Sequence, residues 1–134
     1  MNIAILGAGR VGFSIADLLC RMEHSVTVVD NDPERVAKIN EELDVRAIVG
    51  SASDSAILFQ AEVNNADICL AMTGKDEVNI IAASMAKEIG VSRAVARVYA
   101  PVFRDLSSFD YLSHFGIDRM LSLEHLTAMA LARG

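Results

Sequence analysis

The chain has 134 residues, a length typical of one domain, and its net charge at pH 7 is −6. This acidic balance argues against a nucleic-acid partner, because a broad nucleic-acid surface needs clustered Lys and Arg. Although 52% of the residues are hydrophobic, no apolar run approaches the roughly 18 residues of a membrane span, so we expect one soluble, cytoplasmic domain over residues 1–134 without direct membrane insertion.

The amino-terminal stretch 2–12 predicts a buried strand, a tight glycine turn and the start of a helix. Gly7, Gly9 and Gly12 have the G-x-G-x-x-G spacing of dinucleotide-binding loops. In such loops the first glycine turns the chain, the second lets the backbone approach a pyrophosphate, and the third packs the helix against the strand. Free backbone N–H groups and the helix dipole favour an anion there. A chance turn without a ligand is the alternative, because a glycine triplet alone is a weak motif.

The second predicted strand, residues 25–30, ends on an acid. Asp30 lies 18 residues after Gly12, close to the spacing at which a carboxylate reaches a ribose hydroxyl. Asn31 follows where a reader of a 2′-phosphate would usually place Arg, which favours NAD over NADP. Arg35 could in principle reach the same position, but we expect it on the solvated face of the next helix.

The rest of the chain alternates between helices and strands. Asp32 and Pro33 are typical of a helix start, and a short third strand over 46–49 precedes a helix capped by Ser53 or Asp54. Further strands are predicted over 67–72, 93–99 and 118–121, with an irregular helical region from about 104 to 115.

The helix between the fourth and fifth strands is predicted to begin with a capping box at 73–76 and to end at Gly90. Its predicted buried face consists of Val78, Ile81, Ala82, Met85 and Ile89. Strands alternating with helices throughout predict an α/β Rossmann fold, with six parallel strands in the order 3-2-1-4-5-6 and helices on both faces.

In a sheet of this order, ligands bind at the carboxyl ends of the strands where the order reverses, between the first and fourth strands. The residues that follow the predicted strands are therefore expected to line one crevice that binds a nucleotide. They are Gly7, Ala8, Gly9, Arg10, Val11, Gly12, Asp30, Asn31, Gly50, Ser51, Ala52, Thr73, Gly74 and Arg97.

Arg10 is unusual because a cation in the first turn of a helix opposes the helix dipole, at a cost of about 0.3 to 1 kcal/mol. A terminal phosphate would reverse that sign, since guanidinium pairs with phosphate in a bidentate, charge-assisted way. Two interpretations stay open: Arg10 senses how many phosphates are bound, or it is a long solvated side chain that bends away.

Six different short motifs follow one another along the chain, at residues 5–12, 28–30, 49–52, 71–79, 96–97 and 116–124. On these motifs the sequence resembles, over its whole length, the nucleotide-binding domain of the Trk-type potassium-uptake regulators, also called KTN or RCK-N. The resemblance implies a domain that dimerises, binds NAD(H) or ATP/ADP, and gates a potassium channel or transporter at the inner face of the plasma membrane. By matching positions it implies that residues 7–11 hold the phosphates, Asp30 the adenosine ribose, Thr73 and Gly74 the middle of the nucleotide, and Arg97 a phosphate.

The last segment, about 122–133, predicts a helix with Ser122 as its cap and with apolar residues on more than one face. Such a helix is either buried on the domain's own sheet or part of a dimer contact. Glu124 matches a family position where some members place a carboxylate near a divalent cation at the dimer interface. Its alternative role is that of an acid in the first helical turn.

The alternative function is a small NAD-dependent oxidoreductase. A hydride-transfer enzyme needs a substrate pocket and an acid or base beside the nicotinamide, and 134 residues leave no room for the usual substrate domain. A Tyr-x-x-x-Lys pair is missing too, since both Tyr99 and Tyr111 are followed four residues later by Phe. The sequence therefore favours a regulatory binding module over an enzyme.

Overall fold

A computed structural model describes residues 1–122 and shows one parallel sheet of six strands. The strand order is β3-β2-β1-β4-β5-β6, which confirms the predicted topology. The strands are β1 (Asn2–Leu6), β2 (Ser25–Asp30), β3 (Arg46–Val49), β4 (Ile68–Ala71), β5 (Arg93–Arg97) and β6 (Arg119–Leu121).

Helices connect the strands on both faces of the sheet. They are α1 (Arg10–Arg21), α2 (Pro33–Glu42), α3 (Ser55–Gln60), α4 (Asp76–Ile89) and α5 (Tyr111–His114), with 3₁₀ turns at Val63–Asn65 and Pro101–Phe103.

Neighbouring side chains of the central strand point to opposite faces, so the sheet has two separate groups of buried residues. Ile5 packs with Ala16 of α1 and Ile39 of α2 on one face. Leu6 packs with residues of α3 and α4, including Leu58 and Ala83, on the other. The strands are therefore covered on both faces, which explains their nearly continuous apolar sequences.

Two predicted helix starts are confirmed by side-chain caps. The Asp32 carboxylate accepts a hydrogen bond from the backbone N–H of Glu34 at 2.9 Å, with Pro33 in the first turn of α2. Asp54 rather than Ser53 caps α3, because its carboxylate accepts from the N–H of Ala56 at 2.9 Å. Both helices therefore begin where a local side chain satisfies a first-turn donor.

The predicted capping box of α4 is wrong. Lys75 occupies the N-cap position and makes no side-chain cap bond. The Thr73 hydroxyl instead donates to Asn79 at 2.6 Å, and Asp76 accepts from backbone N–H groups beyond β5. Tertiary contacts thus use the polar side chains that the local pattern assigned to the cap.

The predicted buried face of α4 is wrong in part. Ile81 is 48% exposed, whereas Asn79, Ala83 and Ala86 are fully buried. Small residues let α4 approach the sheet closely, so the spacing of its large apolar side chains does not mark the buried face. Ala82 is fully buried as predicted, and Val78, Met85 and Ile89 are partly buried against the core.

The predicted helix over about 122–133, its dimer contact and Glu124 lie outside the described residues, apart from Ser122, which is buried. Within residues 1–122, none of the helices has the length and hydropathy needed to cross a bilayer. The same part of the chain contains no group of three or more His, Cys, Asp or Glu side chains that could hold a metal ion.

The carboxylate of Asp118 joins α4 to the edge of the sheet, and its hydrogen bonds make stability depend on pH. Asp118 accepts from the backbone N–H of Ala94 at 2.7 Å and lies 2.9 Å from Lys87 Nζ. The hydrogen bond from Ala94, followed by that from Lys87, lowers the pKa of the Asp118 carboxyl. Because the folded-state pKa is lowered, this stabilisation is present above the unfolded value of about 3.9 and is lost as pH falls below it.

We therefore expect Asp118→Asn to lower the free energy of unfolding at pH 7 by about 1 kcal/mol. Thermal melting between pH 7 and pH 3 should show a smaller loss of stability on acidification in the variant than in wild type. Asp17→Asn, which removes the exposed pair with Arg21 on α1, serves as the control. Parallel curves for wild type and Asp118→Asn would contradict the assignment.

Candidate functional site

A cavity of about 610 Å³ lies at the carboxyl ends of the strands. Val11 does not line it, since this residue is half-buried and packs against the core beside β1. The structure brings together the other thirteen predicted site residues, and their binding of a nucleotide stays a prediction. The thirteen are Gly7, Ala8, Gly9, Arg10, Gly12, Asp30, Asn31, Gly50, Ser51, Ala52, Thr73, Gly74 and Arg97.

Each glycine of the loop occupies the position that its predicted role requires. Gly7 has φ +108°, and a Cβ added there would lie 2.7 Å from the backbone nitrogen of Thr73. A Cβ on Gly12 would overlap the carbonyl oxygen of Gly7, which shows how closely α1 packs against the loop. A Cβ on Gly9 would meet nothing within 4 Å. The middle glycine therefore leaves its side of the loop open to the cavity.

The start of α1 supplies backbone donors at the wall of the cavity. Gly9 is the N-cap in an extended conformation, no side chain caps the helix, and the first turn holds no acidic residue. The first N–H groups of a helix have no intrahelical acceptor. Together with the positive end of the helix dipole, they make this point suitable for an anion.

Asp30 is held in place at the end of β2 by the glycine loop. Its side chain is 5% exposed. One carboxylate oxygen accepts from the N–H of Ala8 at 2.7 Å, and the other accepts from the N–H of Asp32 at 2.8 Å. Because a carboxylate oxygen has two lone pairs and can accept a second hydrogen bond, both oxygens of Asp30 can still bind a ribose hydroxyl. Asp30 is thus oriented before any ligand arrives.

The ends of β4 and β5 are joined by a buried amide. Asn79 of α4 is fully buried, and its side chain bonds to the backbone of both Thr73 and Arg97. The guanidinium of Arg97 donates to the Thr73 carbonyl at 2.6 Å and lies 4.8 Å from the centre of the Tyr99 ring. Asp76 accepts from the N–H groups of Tyr99 and Ala100 at 2.8 Å each, so β5 ends at Arg97 instead of continuing to Tyr99 as predicted.

The sequence missed six residues that line the cavity. Arg35, expected on a solvated helix face, is half-exposed and lies 3.7 Å from each of two carboxylates, those of Asp30 and Asp32. Lys75 lies three residues after the predicted fourth strand and Tyr99 is the last residue of the predicted fifth strand, so proximity to the strand ends could have identified both. The six are Val29, Arg35, Met72, Lys75, Val78 and Tyr99.

Positive charge is concentrated at the cavity. Among residues 1–122, the charged side chains that line it are four cations and the carboxylate of Asp30, although the whole chain carries a net charge of −6. The four cations are Arg10, Arg35, Lys75 and Arg97. Such a lining attracts a polyanion into a protein whose overall charge would repel one.

Comparison with models of known protein families shows to which family the chain belongs. The model of the family described as the TrkA-N domain matches residues 3–123. The chain belongs to the TrkA-N family. This TrkA-N domain is 34% identical, over 96% of its length, to the Trk system potassium uptake protein TrkA homolog of Methanothermobacter thermautotrophicus, and 35% identical, over 99%, to the Trk system potassium uptake protein TrkA of Halomonas elongata.

The TrkA-N domain spans 57% of the length of the first relative and 29% of the second. Both carry the name of a potassium uptake system and neither that of an enzyme, which agrees with the preference for a non-enzymatic domain.

Two solved structures have the same fold. The TrkA-N domain of the inner membrane protein ybaL from Escherichia coli gives a TM-score of 0.82 at 19% identity, covering 98% of this chain and 94% of that one. The GsuK channel bound to NAD gives a TM-score of 0.76 at 20% identity, and the alignment covers 90% of this chain and 21% of the channel chain.

Proposed function

We propose that the domain binds an adenine nucleotide, NAD(H) or ATP/ADP, in the cavity at the carboxyl ends of its strands. The observation that carries the proposal is the union, in one cavity, of an uncapped helix start, a pre-oriented carboxylate and four cationic side chains. Donors and cations suit phosphates, and the carboxylate suits ribose hydroxyls. The NAD bound to the GsuK channel, which shares the fold, supports this choice.

The strand order suggests how the ligand lies. From β3 to β5 the cavity crosses four inter-strand spacings, roughly 19 Å in all. The adenosine would lie near Asp30 and Gly50, the phosphates over the glycine loop and towards Arg97, and the middle of the nucleotide near Thr73 and Gly74. The carboxylate of Asp30 would repel a 2′-phosphate, so NAD(H) is preferred over NADP.

The proposed consequence of binding is regulation of a membrane potassium channel or transporter. Different nucleotides would favour different arrangements of a homodimer, and only a ligand with unequal affinity for two arrangements can shift their equilibrium. The proposal places the domain in the cytoplasm, at the inner face of the plasma membrane through its partner. It draws on the potassium uptake proteins among the relatives, and a divalent cation at Glu124 belongs to the same proposal.

Isothermal titration calorimetry with NADH, NAD, ATP and ADP tests the binding step. We expect saturable binding of at least one of them at one site per chain. Absence of binding by all four would overturn the proposal. Turnover of NAD with common metabolites would instead favour the oxidoreductase.

Arg10 offers a test of which phosphate it contacts. Its exposed side chain lines the cavity at the first residue of α1. If it pairs with a terminal phosphate, Arg10→Ala should reduce the ATP-to-ADP affinity ratio about tenfold, the loss of one charge-assisted contact. Arg21→Ala, at the far end of the same helix, is the matched control. An unchanged ratio would show that Arg10 does not count phosphates.

A further inference from the structure

Only some of the hydrogen-bond donors of the Arg97 side chain have an acceptor in the described part of the surrounding structure. It is 6% exposed, and its Nη2 donates to the Thr73 carbonyl at 2.6 Å. Its Nε is buried, and within residues 1–122 no acceptor lies in hydrogen-bonding range of it. A buried N–H group without an acceptor costs free energy, which an arrangement that supplies one recovers. The observed position of the guanidinium is therefore open to competition from an anionic ligand.

The Thr73 carbonyl, which accepts a hydrogen bond from Arg97, also accepts one from a second donor. Asn79 Nδ2 donates to the same Thr73 oxygen at 2.9 Å. A carbonyl oxygen has two lone pairs, so it can accept both bonds at once. If the guanidinium leaves, the oxygen is still hydrogen-bonded to Asn79. Movement of Arg97 thus leaves no unpaired acceptor behind.

Asn79 also holds the backbone of both strand ends. Its Oδ1 accepts from the Thr73 nitrogen at 2.8 Å and from the Thr73 hydroxyl at 2.6 Å, while Nδ2 donates to the Arg97 carbonyl at 2.8 Å. Asp76 accepts hydrogen bonds from the N–H groups of Tyr99 and Ala100, two and three residues after Arg97. None of these bonds involves the Arg97 guanidinium, so the side chain can move while the backbone stays.

We infer that Arg97 is a phosphate-responsive side chain and that Asn79 is the positioning residue that lets it respond. When the phosphate of a nucleotide binds, the guanidinium exchanges the Thr73 carbonyl and the Tyr99 ring for phosphate oxygens, and Asn79 keeps β4 and β5 joined. The inference rests on the proposed nucleotide site and deepens it, because it names the contact that changes when a phosphate arrives.

The first test uses the wild-type chain and nuclear magnetic resonance. The Arg97 Nε–H signal and the Tyr99 ring signals are followed during titration with ADP and with adenosine, which has no phosphate. We expect ADP to shift both sets of signals and adenosine to leave both unchanged. Equal shifts with the two ligands, or none at saturating ADP, would overturn the inference while leaving the site intact. Failure of ADP to bind by calorimetry would instead remove the proposed function.

The second test separates positioning from a structural role. Asn79→Leu removes all four side-chain hydrogen bonds of Asn79 and adds no charge. We expect it to lower the affinity for ADP at least about tenfold and the affinity for adenosine less than about twofold. Arg97→Lys should lower the affinity for ADP about tenfold in wild type and less than about threefold in the Asn79→Leu background, since coupled residues are not additive.

A purely structural role predicts equal losses for the two ligands and an unchanged effect of Arg97→Lys, and that result would refute the inference. Asn64→Leu, an exposed position at the opposite end of the sheet, is the matched control and should change neither affinity. If Asn79→Leu does not fold, the titration of the wild-type chain still decides.

Discussion

Asp30→Ala is expected to weaken the binding of every adenosine ligand by roughly 1.5 to 3 kcal/mol, about 10- to 150-fold, the value of a hydrogen bond to a charged group. The structure supports a value at the upper end. The variant would lose the proposed contact with ribose and also release the N–H of Ala8, which Asp30 now holds at 2.7 Å. The glycine loop would then be less ordered before the ligand arrives.

Calorimetry with adenosine, ADP and NADH measures the effect, and thermal melting reports the accompanying loss of stability. Asp17→Ala, which changes an acid on α1 away from the cavity, is the control and should bind all three ligands like wild type. If Asp30→Ala melts earlier but binds with unchanged affinity, Asp30 has a structural role alone.

The second large effect is on stability. Gly12→Ala should lower the free energy of unfolding by about 2 to 4 kcal/mol, because overpacking against a rigid backbone outweighs the gain of about 1 kcal/mol from replacing glycine in a helix. The added Cβ would overlap the Gly7 carbonyl oxygen. Neither backbone can withdraw without separating α1 from β1.

Gly9→Ala is the matched variant, since its Cβ would meet no atom within 4 Å. We expect its stability to change by less than about 1 kcal/mol and its nucleotide affinity to fall, because the methyl group occupies the open side of the loop. Urea unfolding and calorimetry measure the two quantities. Equal stability of Gly12→Ala and wild type would contradict the close packing of loop and helix.

Local patterns were sufficient for the strand order and for most of the cavity wall. Buried parallel strands are nearly continuous apolar runs, and short polar loops after them mark the carboxyl ends where ligands of such sheets bind. The spacing of Gly7, Gly9 and Gly12 and the acid at Asp30 are likewise readable without a structure, since each depends on a turn or a strand end close by in the sequence.

Contacts between distant elements were not readable in this way. Arg35 of α2 reaches the cavity beside Asp30 of β2, and its own helix start contributes a second carboxylate, Asp32, at the same distance of 3.7 Å. Asp76 and Asn79 look like helix-start residues, yet they bind backbone groups more than 15 residues away along the chain. A hydrogen-bonding side chain near a helix start has several available partners, and the packing of α4 against β5 selects among them.

The amino-acid sequence alone therefore determined the alternation of strands and helices, the glycine turn and the acid that ends β2, because all of these follow from hydrophobic patterning and local backbone preference. The tertiary structure decided which side of α4 is buried, which cations reach the cavity and how Asn79 joins Thr73 to Arg97. Those features depend on which surfaces come within hydrogen-bonding distance after the chain has folded.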